Sequence, residues 1–306
     1  MSQKPGVRID LGSYVYCFVG MVLFSTTEIA GKLAGNNISP VVVTIIRFFI
    51  GSVILLPFAS ITVNNNNRSG LKSTITIPEI VKIVYPGVIN VAGAMLFLQF
   101  AIYYGTVSMS AILISSNPLF VAIFATLILK EELTVGKTVG VLLGLAGMCL
   151  VIIGDNPAPA AAINPFLGFI FGLFASLLFG LYTVLAKRRI AVYGNAFFNA
   201  VSFAGGAAVL LLLALLFQLE FTFVITAGNI YLLLYMGIFI TGIAYIFFFN
   251  GLKKIPAANG SIMFFFKPVI AVLLAVLCLG ESITGLQIVG VALIMGSVYI
   301  TNLRKR

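Results

Sequence analysis

Four ionisable side chains of this 306-residue sequence fall inside long apolar segments: Glu28, Lys32, Arg47 and Lys267. A charge at the centre of a membrane helix costs at least about 2.5–3.5 kcal/mol, so such a residue usually faces a cavity or an ionic partner. Lys267 lies mid-segment, directly before Pro268, and proline leaves a backbone carbonyl without its helical partner. A cation beside an opened backbone predicts a subsite for an anion or carboxylate; a lysine paired permanently with a carboxylate is the alternative.

Glu28 and Lys32 are four residues apart, in the order that favours attraction on one helix face. Glu28 lies about 7 Å from the centre of its helix, at about 1.5 Å per residue. We expect it to hold a substrate ammonium or a coupling proton, unless the pair with Lys32 satisfies both charges. Lys32, nearer the helix end, is expected to extend towards the membrane interface. Arg47 is expected to pair with backbone carbonyls or with Glu28, and is kept as a candidate for substrate contact.

Uncharged polar and aromatic side chains complete the candidate site. Asn117 also stands directly before a proline, Gln99 and Tyr103 are four apart and predict a polar wall, and two further tyrosines would supply aromatic contacts. The candidate substrate-binding residues are Lys267, Glu28, Asn117, Gln99, Tyr103, Tyr182, Tyr245 and Arg47. We expect no catalytic residue, no metal ligands and no cofactor, since the sequence has no histidine, the commonest general base and metal ligand.

The composition identifies the elements that must position these residues. The chain is 61% hydrophobic and 8% charged, with a mean hydropathy of +1.16, whereas soluble domains are about 25% charged. One membrane helix needs about 20 apolar residues, so the length predicts an all-α membrane protein with about ten spans. The first apolar segment is interpreted as a membrane helix rather than a cleavable signal. The predicted spans are 12–34, 40–60, 80–104, 107–129, 134–154, 165–186, 195–218, 229–252, 255–279 and 283–302, with a polar loop at 64–72 and a linker at 155–164.

The basic residues predict how the spans are oriented. With the amino terminus placed in the cytoplasm, fifteen of the 18 lysines and arginines fall in inside loops or the first turn beside them: Lys4, Arg8, Arg68, Lys72, Lys82, Lys130, Lys137, Lys187, Arg188, Arg189, Lys253, Lys254, Arg304, Lys305 and Arg306. This follows the positive-inside rule and favours an even number of helices with both termini cytoplasmic. The net charge of +10 is then explained by topology, and no nucleic-acid partner is expected.

The two halves of the chain resemble each other. A shift of 150 residues places Pro118 on Pro268, Glu131 on Glu281 and Thr134 on Thr284, and a shift of 155 places Phe24 on Phe179 and Lys32 on Lys187. We therefore predict two five-helix repeats, 1–155 and 165–303. Because five is an odd number, the second repeat enters the membrane from the opposite side, and inverted repeats of this kind are typical of secondary transporters.

These motifs resemble the drug/metabolite transporter superfamily, in its ten-helix EamA branch, over residues 10–302. The resemblance lies in a proline-containing helix followed by Glu-x-x-Thr and a glycine-rich helix, seen at 118–140 and again at 268–290, and in Lys32 and Arg47-Phe48. It implies alternating-access transport of small metabolites. Phe24 stands where the family usually has tryptophan, and Glu28 and Lys267 also depart from its pattern, so the substrate does not transfer.

The function expected from the sequence is secondary active transport of a small polar metabolite, with an amino acid as one candidate and proton coupling as one option. Lys267 would hold the carboxylate. An exporter of cationic drugs or polyamines, or a non-transporting membrane receptor, remain as alternatives, whereas an enzyme is not expected. The partners expected are a small-molecule metabolite and the lipid bilayer of the cytoplasmic (inner) membrane, with the chain a monomer or homodimer.

Overall fold

The computed structural model describes residues 11–35, 37–68, 76–105, 107–153, 163–270 and 284–302. These residues are almost entirely helical; one isolated β-bridge joins Ile38 and Phe223. In chain order the helices are α1 Leu11–Phe24, α2 Thr27–Ala34, α3 Pro40–Arg68, α4 Ile77–Val88, α5 Leu96–Tyr104, α6 Val107–Ser115, α7 Asn117–Leu129, α8 Val135–Ile153, α9 Pro165–Tyr193, α10 Asn195–Leu216, α11 Ala227–Tyr235, α12 Ala244–Leu252, α13 Ala257–Ser261 and α14 Gly285–Asn302.

Within the described ranges, seven helical segments are long and apolar enough to cross a membrane. Three shorter apolar helices accompany them: Val135–Leu150, Ala257–Ile270 and Ile288–Ile300. The predicted all-helical class is therefore confirmed. Most of the predicted linker at 155–164, and Glu281 of the second repeat motif, lie outside the described residues.

Several helices are interrupted at places that the hydropathy pattern does not show. Two π-helical segments occur, Ile89–Met95 between α4 and α5 and Met236–Ile243 between α11 and α12. A 3₁₀ turn, Ile262–Phe265, follows α13. The first predicted span is broken between α1 and α2, where the Ser25 and Thr26 hydroxyls donate to carbonyls one turn back, both at 2.8 Å. Such bonds compete with the helical ladder and bend it.

The polar loop predicted at 64–72 is wrong at its start, because α3 continues through Arg68. The Asn64–Asn67 run contains neither proline nor glycine, and Gly70 is the first glycine or proline after it. α9 likewise runs beyond the predicted residue 186 to Tyr193 and stops at Gly194, whose φ is 82°. The hydropathy of the sequence marks the edge of the membrane, whereas a helix continues until its backbone is interrupted. These two helices are therefore longer than the apolar spans.

Backbone contacts define the two ends of the bundle. At one end Asn164 N–H donates to the Tyr104 carbonyl at 2.9 Å, and Ser39 N–H donates to the Thr222 carbonyl at 2.9 Å. We call this the Tyr104 end. At the opposite end the turn after α7 meets the inner turn between α12 and α13, where Ala257 N–H donates to a Glu131 carboxylate oxygen at 2.9 Å. We call this the Glu131 end.

Close helix packing depends on small residues. A Cβ built on Gly87 of α4 would overlap the Ser202 carbonyl of α10, and one on Gly206 of α10 would lie 2.5 Å from the Gly87 carbonyl. Small residues at such crossings let two backbones approach each other in a membrane, where hydrophobic burial does not drive helices together.

We expect Gly87→Ala to destabilise the protein by about 1–3 kcal/mol, because the added methyl group meets backbone rather than a flexible side chain. Gly296→Ala is the matched control, since a Cβ at Gly296 meets nothing within 4 Å. Thermal unfolding in detergent measures the difference, and equal midpoints for the two variants would contradict the close approach of α4 and α10.

Candidate functional site

A small central cavity lies among the helices. Its wall is largely apolar, formed by Phe24, Leu98, Ile114, Phe179, Ile240 and Phe264, among others. Its charged lining residues are Arg47 and Lys267, and Thr27 and Thr241 add hydroxyl groups. An apolar pocket with a few convergent polar groups is the usual form of a small-molecule site.

The irregular segments of the fold supply about half of the lining. The break between α1 and α2 places Phe24 and Thr27 at the cavity, and the π-helical segment Met236–Ile243 places Ile240 and Thr241 there. Phe264 comes from the 3₁₀ turn, and Lys267 lies in the helical residues that follow this turn. π-Helical segments are frequent at functional sites, and discontinuous membrane helices commonly form transport sites.

Lys267 and Glu28 form a buried ion pair. The Lys267 ammonium lies 2.5 Å from Glu28 Oε1, and the two side chains are 3% and 2% exposed. Glu28 lies in the first turn of α2, where the positive end of the helix dipole favours a carboxylate. Its second oxygen, Oε2, has no hydrogen-bond partner among the described residues. Glu28 therefore pairs across the bundle, and the local pair with Lys32 is not formed.

Arg47 lies on α3 at the same cavity and is 1% exposed. Its guanidinium carbon is 5.0 Å from the centroid of the Phe48 ring, within the range of a cation–π contact. Its Nε has no hydrogen-bond partner in the described part of the chain. Of the two partners expected for Arg47, Glu28 is paired with Lys267 instead; pairing with backbone carbonyls stays a prediction. Arg47, Lys267 and Glu28 together carry one excess positive charge.

The structure separates the other predicted residues. Tyr245 lines the central cavity, and its hydroxyl accepts a hydrogen bond from Asn90 Nδ2 at 3.3 Å. Gln99 and Tyr103 line a second cavity instead. Tyr182 is fully buried away from the cavity lining, and its hydroxyl donates to Asn199 Oδ1 at 2.6 Å.

Asn117 begins α7 and is fully buried. Both polar atoms of its side chain lack partners among the described residues. It is not among the lining residues of the central cavity. Its substrate-binding role stays a prediction.

Sequence reasoning missed Thr27 and Thr241 as lining residues. The signal for Thr27 was present, because three consecutive hydroxyl residues, 25–27, favour a local break in a helix. Thr241 stands in a π-helical segment in which its hydroxyl donates to the Met236 carbonyl at 3.0 Å. No sequence pattern predicted that π-helical segment.

A second ionic cluster joins three elements at the Glu131 end. Glu131 Oε1 accepts hydrogen bonds from Lys187 Nζ at 3.0 Å and from Ala257 N–H at 2.9 Å. Lys187 Nζ also donates to the Ile255 carbonyl at 2.6 Å, and Lys137 Nζ lies 4.0 Å from Glu131 Oε2. We call this cluster the Glu131 clasp. It connects the end of α7 with α9 and with the turn before α13, over a buried apolar cluster that includes Val121 and Ala125.

Comparisons with known proteins give a consistent result. The model of the EamA-like transporter family matches residues 11–153 and again 166–303. An "Uncharacterized transporter" of Clostridium kluyveri is 35% identical over 93% of this chain and 91% of its own length. "Uncharacterized transporter YetK" of Bacillus subtilis is 24% identical over 98% of this chain and 89% of its own length. A crystal structure with 19% sequence identity shares the fold, with a TM-score of 0.72 over 95% of this chain and 96% of that chain.

We expect Glu28→Gln to be more destabilising than Lys267→Gln. Removing one partner of a buried pair costs about 3–5 kcal/mol, but Glu28→Gln leaves two cations, Arg47 and Lys267, without a counter-charge. The double variant Glu28→Gln/Lys267→Gln should be more stable than Glu28→Gln alone. Unfolding midpoints in detergent, measured for the three variants and the unmodified protein, test this order. A double variant whose destabilisation equals the sum of the two single ones would show that the pair carries no coupling energy.

Proposed function

Because the chain belongs to the EamA-like transporter family and is a multi-pass membrane protein, we propose that it is a secondary transporter for a small metabolite with a carboxylate and an apolar body. The observation that carries this proposal is the central cavity, whose apolar wall holds two cations, Arg47 and Lys267, but not Glu28. An anion entering this space neutralises the excess charge, whereas a cation adds to it.

The two cations differ in what they offer a carboxylate. Arg47 presents a planar fork of N–H donors that matches both carboxylate oxygens, while Lys267 presents a compact charge. The apolar wall, with Phe24 and Phe264, accommodates the uncharged part of the substrate. A 2-oxo acid or an amino acid with an aliphatic side chain has this shape and charge.

Substrate binding exchanges ion-pair partners. A carboxylate that reaches Lys267 competes with Glu28 for the same ammonium. Glu28 is then free to accept the ammonium of an amino acid or a proton, which would couple transport to a second charge. The exchange avoids leaving either charge unpaired in a medium of low dielectric constant.

Alternating access in this proposal uses two inverted five-helix repeats, 1–155 and 165–303. The family model matches the chain twice, at 11–153 and 166–303. Contacts at opposite ends also correspond: Lys187 donates to the Ile255 carbonyl, and Lys32, 155 positions earlier, donates to the Gly105 carbonyl, 150 positions earlier. The shifts are those found in the sequence.

The Glu131 end is proposed to face the cytoplasm, with both termini on that side of the cytoplasmic membrane. Lys130, Lys137 and Lys187–Arg189 cluster at this end, and the positive-inside rule assigns such ends to the cytoplasm. The Glu131 clasp closes this end, while larger cavities open towards the Tyr104 end.

The export of cationic drugs or polyamines is less well supported. Such a substrate needs an accessible carboxylate at the cavity, but Glu28 is paired with Lys267 and is absent from the lining. Nothing in the described residues favours a non-transporting receptor over a transporter.

Three probes of matched shape test the substrate class: L-leucine, 4-methyl-2-oxopentanoate and isoamylamine, which carry both charges, the carboxylate only and the ammonium only. We expect uptake of the two carboxylates into proteoliposomes and none of isoamylamine. Arg47→Gln and Lys267→Gln should each reduce uptake at least about tenfold, since a charge-assisted hydrogen bond contributes about 1.5–3 kcal/mol.

Lys82→Gln is the matched control, because it neutralises an exposed lysine outside the cavity. Isoamylamine transport without carboxylate transport would reject this proposal in favour of the cation exporter. Carboxylate uptake that is unchanged in Arg47→Gln and Lys267→Gln would reject the central cavity as the binding site.

A further experiment tests the Glu131 clasp as the closure of its end. In a background without the native cysteines, Ala125→Cys places a thiol in the buried cluster beneath the clasp. We expect Glu131→Gln and Lys187→Gln to raise its rate of modification by N-ethylmaleimide at least about fivefold, because each loses a charge-assisted hydrogen bond of about 1.5–3 kcal/mol.

The charge-swapped double variant Glu131→Lys/Lys187→Glu should recover part of the protection, since it restores the ion pair but not the bond from Ala257 N–H. Glu79→Gln is the control, because Glu79 is an exposed helix-capping residue that accepts a bond from Thr76 N–H. Modification rates that do not differ from that of the Ala125→Cys parent would show that the clasp does not close this end.

A further inference from the structure

We propose a second anion-binding site, centred on Lys32, at which the substrate carboxylate is held before it reaches Arg47 and Lys267. The inference rests on the proposed function, because it concerns the same class of substrate. It adds a position on the route from the Tyr104 end that the central cavity does not contain.

The site is a cavity distinct from the central one. Lys32, Gln99 and Tyr103 are its main polar lining residues. It lies one helical turn outward from the central cavity, since α2 lines the central cavity with Thr27 and this cavity with Gly31. Four residues of helix correspond to about 6 Å along its axis.

The ammonium of Lys32 is not neutralised by a carboxylate among the described residues. Glu28, its neighbour one turn earlier, is paired with Lys267. Lys32 Nζ instead donates to the carbonyls of Ile102 and Gly105, both at 3.4 Å, at the end of α5. These contacts are long, whereas its repeat counterpart Lys187 has a carbonyl at 2.6 Å and a carboxylate at 3.0 Å. Lys32 is thus a partly buried cation with capacity for a stronger acceptor.

Gln99 provides an independent observation. Its side chain is 3% exposed, yet its amide nitrogen Nε2 has no hydrogen-bond partner among the described residues. An unpaired buried donor costs about 1–3 kcal/mol, which an incoming acceptor recovers. Gly31 leaves the room that this amide occupies, because a Cβ there would lie 2.9 Å from Gln99 Oε1. An ammonium and an amide donor at one cavity match the oxygens of a carboxylate.

The cavity adjoins another cavity at the Tyr104 end. A third cavity shares Gly35, Ile38, Pro40 and Tyr103 with it. Glu220, at the rim of this third cavity, accepts a hydrogen bond from the Thr222 hydroxyl at 2.6 Å. A substrate entering from this end therefore meets Lys32 before the two cations of the central cavity.

The test compares transport of 4-methyl-2-oxopentanoate from the two sides, in intact cells and in everted membrane vesicles. We expect Lys32→Gln to raise KM at least about tenfold for substrate presented at the Tyr104 end and to change KM from the Glu131 end less than about twofold. The ratio of the two maximal rates should shift in step, because the ratio of Vmax/KM between the two directions is fixed by the equilibrium of transport. Lys32→Arg should restore KM to within about threefold, because it keeps the charge. Gly31→Ala, which displaces the Gln99 amide, should raise the same one-sided KM, and Lys82→Gln should not.

An unchanged KM in Lys32→Gln, or an equal rise from both sides, overturns the second site. If the second site fails in this way but Arg47→Gln still abolishes transport, the proposed function stands without the second site. If the unmodified protein transports neither 4-methyl-2-oxopentanoate nor L-leucine from either side, the proposed function fails and the second site fails with it.

Discussion

The buried pair of Glu28 and Lys267 is the interaction on which the arrangement of the site depends. Neither charge is tolerable alone in a bilayer, so the two segments that carry them must stay together. The break between α1 and α2 gives Glu28 the positive end of a helix, and the 3₁₀ turn precedes the segment that holds Lys267. Each of the two charges therefore lies directly after an irregular segment of the backbone.

The pair also sets the net charge at the cavity, on which the proposed preference for a carboxylate rests. Glu28 neutralises one cation, and Arg47 remains as the excess charge at an apolar wall. In a low-dielectric space this excess is a stronger determinant than any single hydrogen bond. In the proposed function, the carboxylate of the substrate and the carboxylate of Glu28 compete for Lys267, which would link binding to a change in the protein's own contacts.

The two ends of the bundle hold related lysines in unequal environments. At the Glu131 end Lys187 has short bonds to a carboxylate and a carbonyl, above a buried apolar cluster. At the Tyr104 end Lys32 has two contacts of 3.4 Å and borders open cavities. The proposed closure of one end and the proposed binding site at the other both rest on this difference between the two lysines.

Composition and local pattern determined the class of the protein, most of its helices and the small set of charged residues within them. Those properties depend on neighbours along the chain, through hydropathy, periodicity and the cost of burying a charge. The partner of Glu28 is 239 positions away, and no local pattern distinguishes it from Lys32. Only the packing of the helices decided that pairing. Packing also placed Gln99 at the cavity of Lys32 and not at the cavity of Arg47, and it produced the π-helical segments. These features depend on which helix surfaces meet in three dimensions.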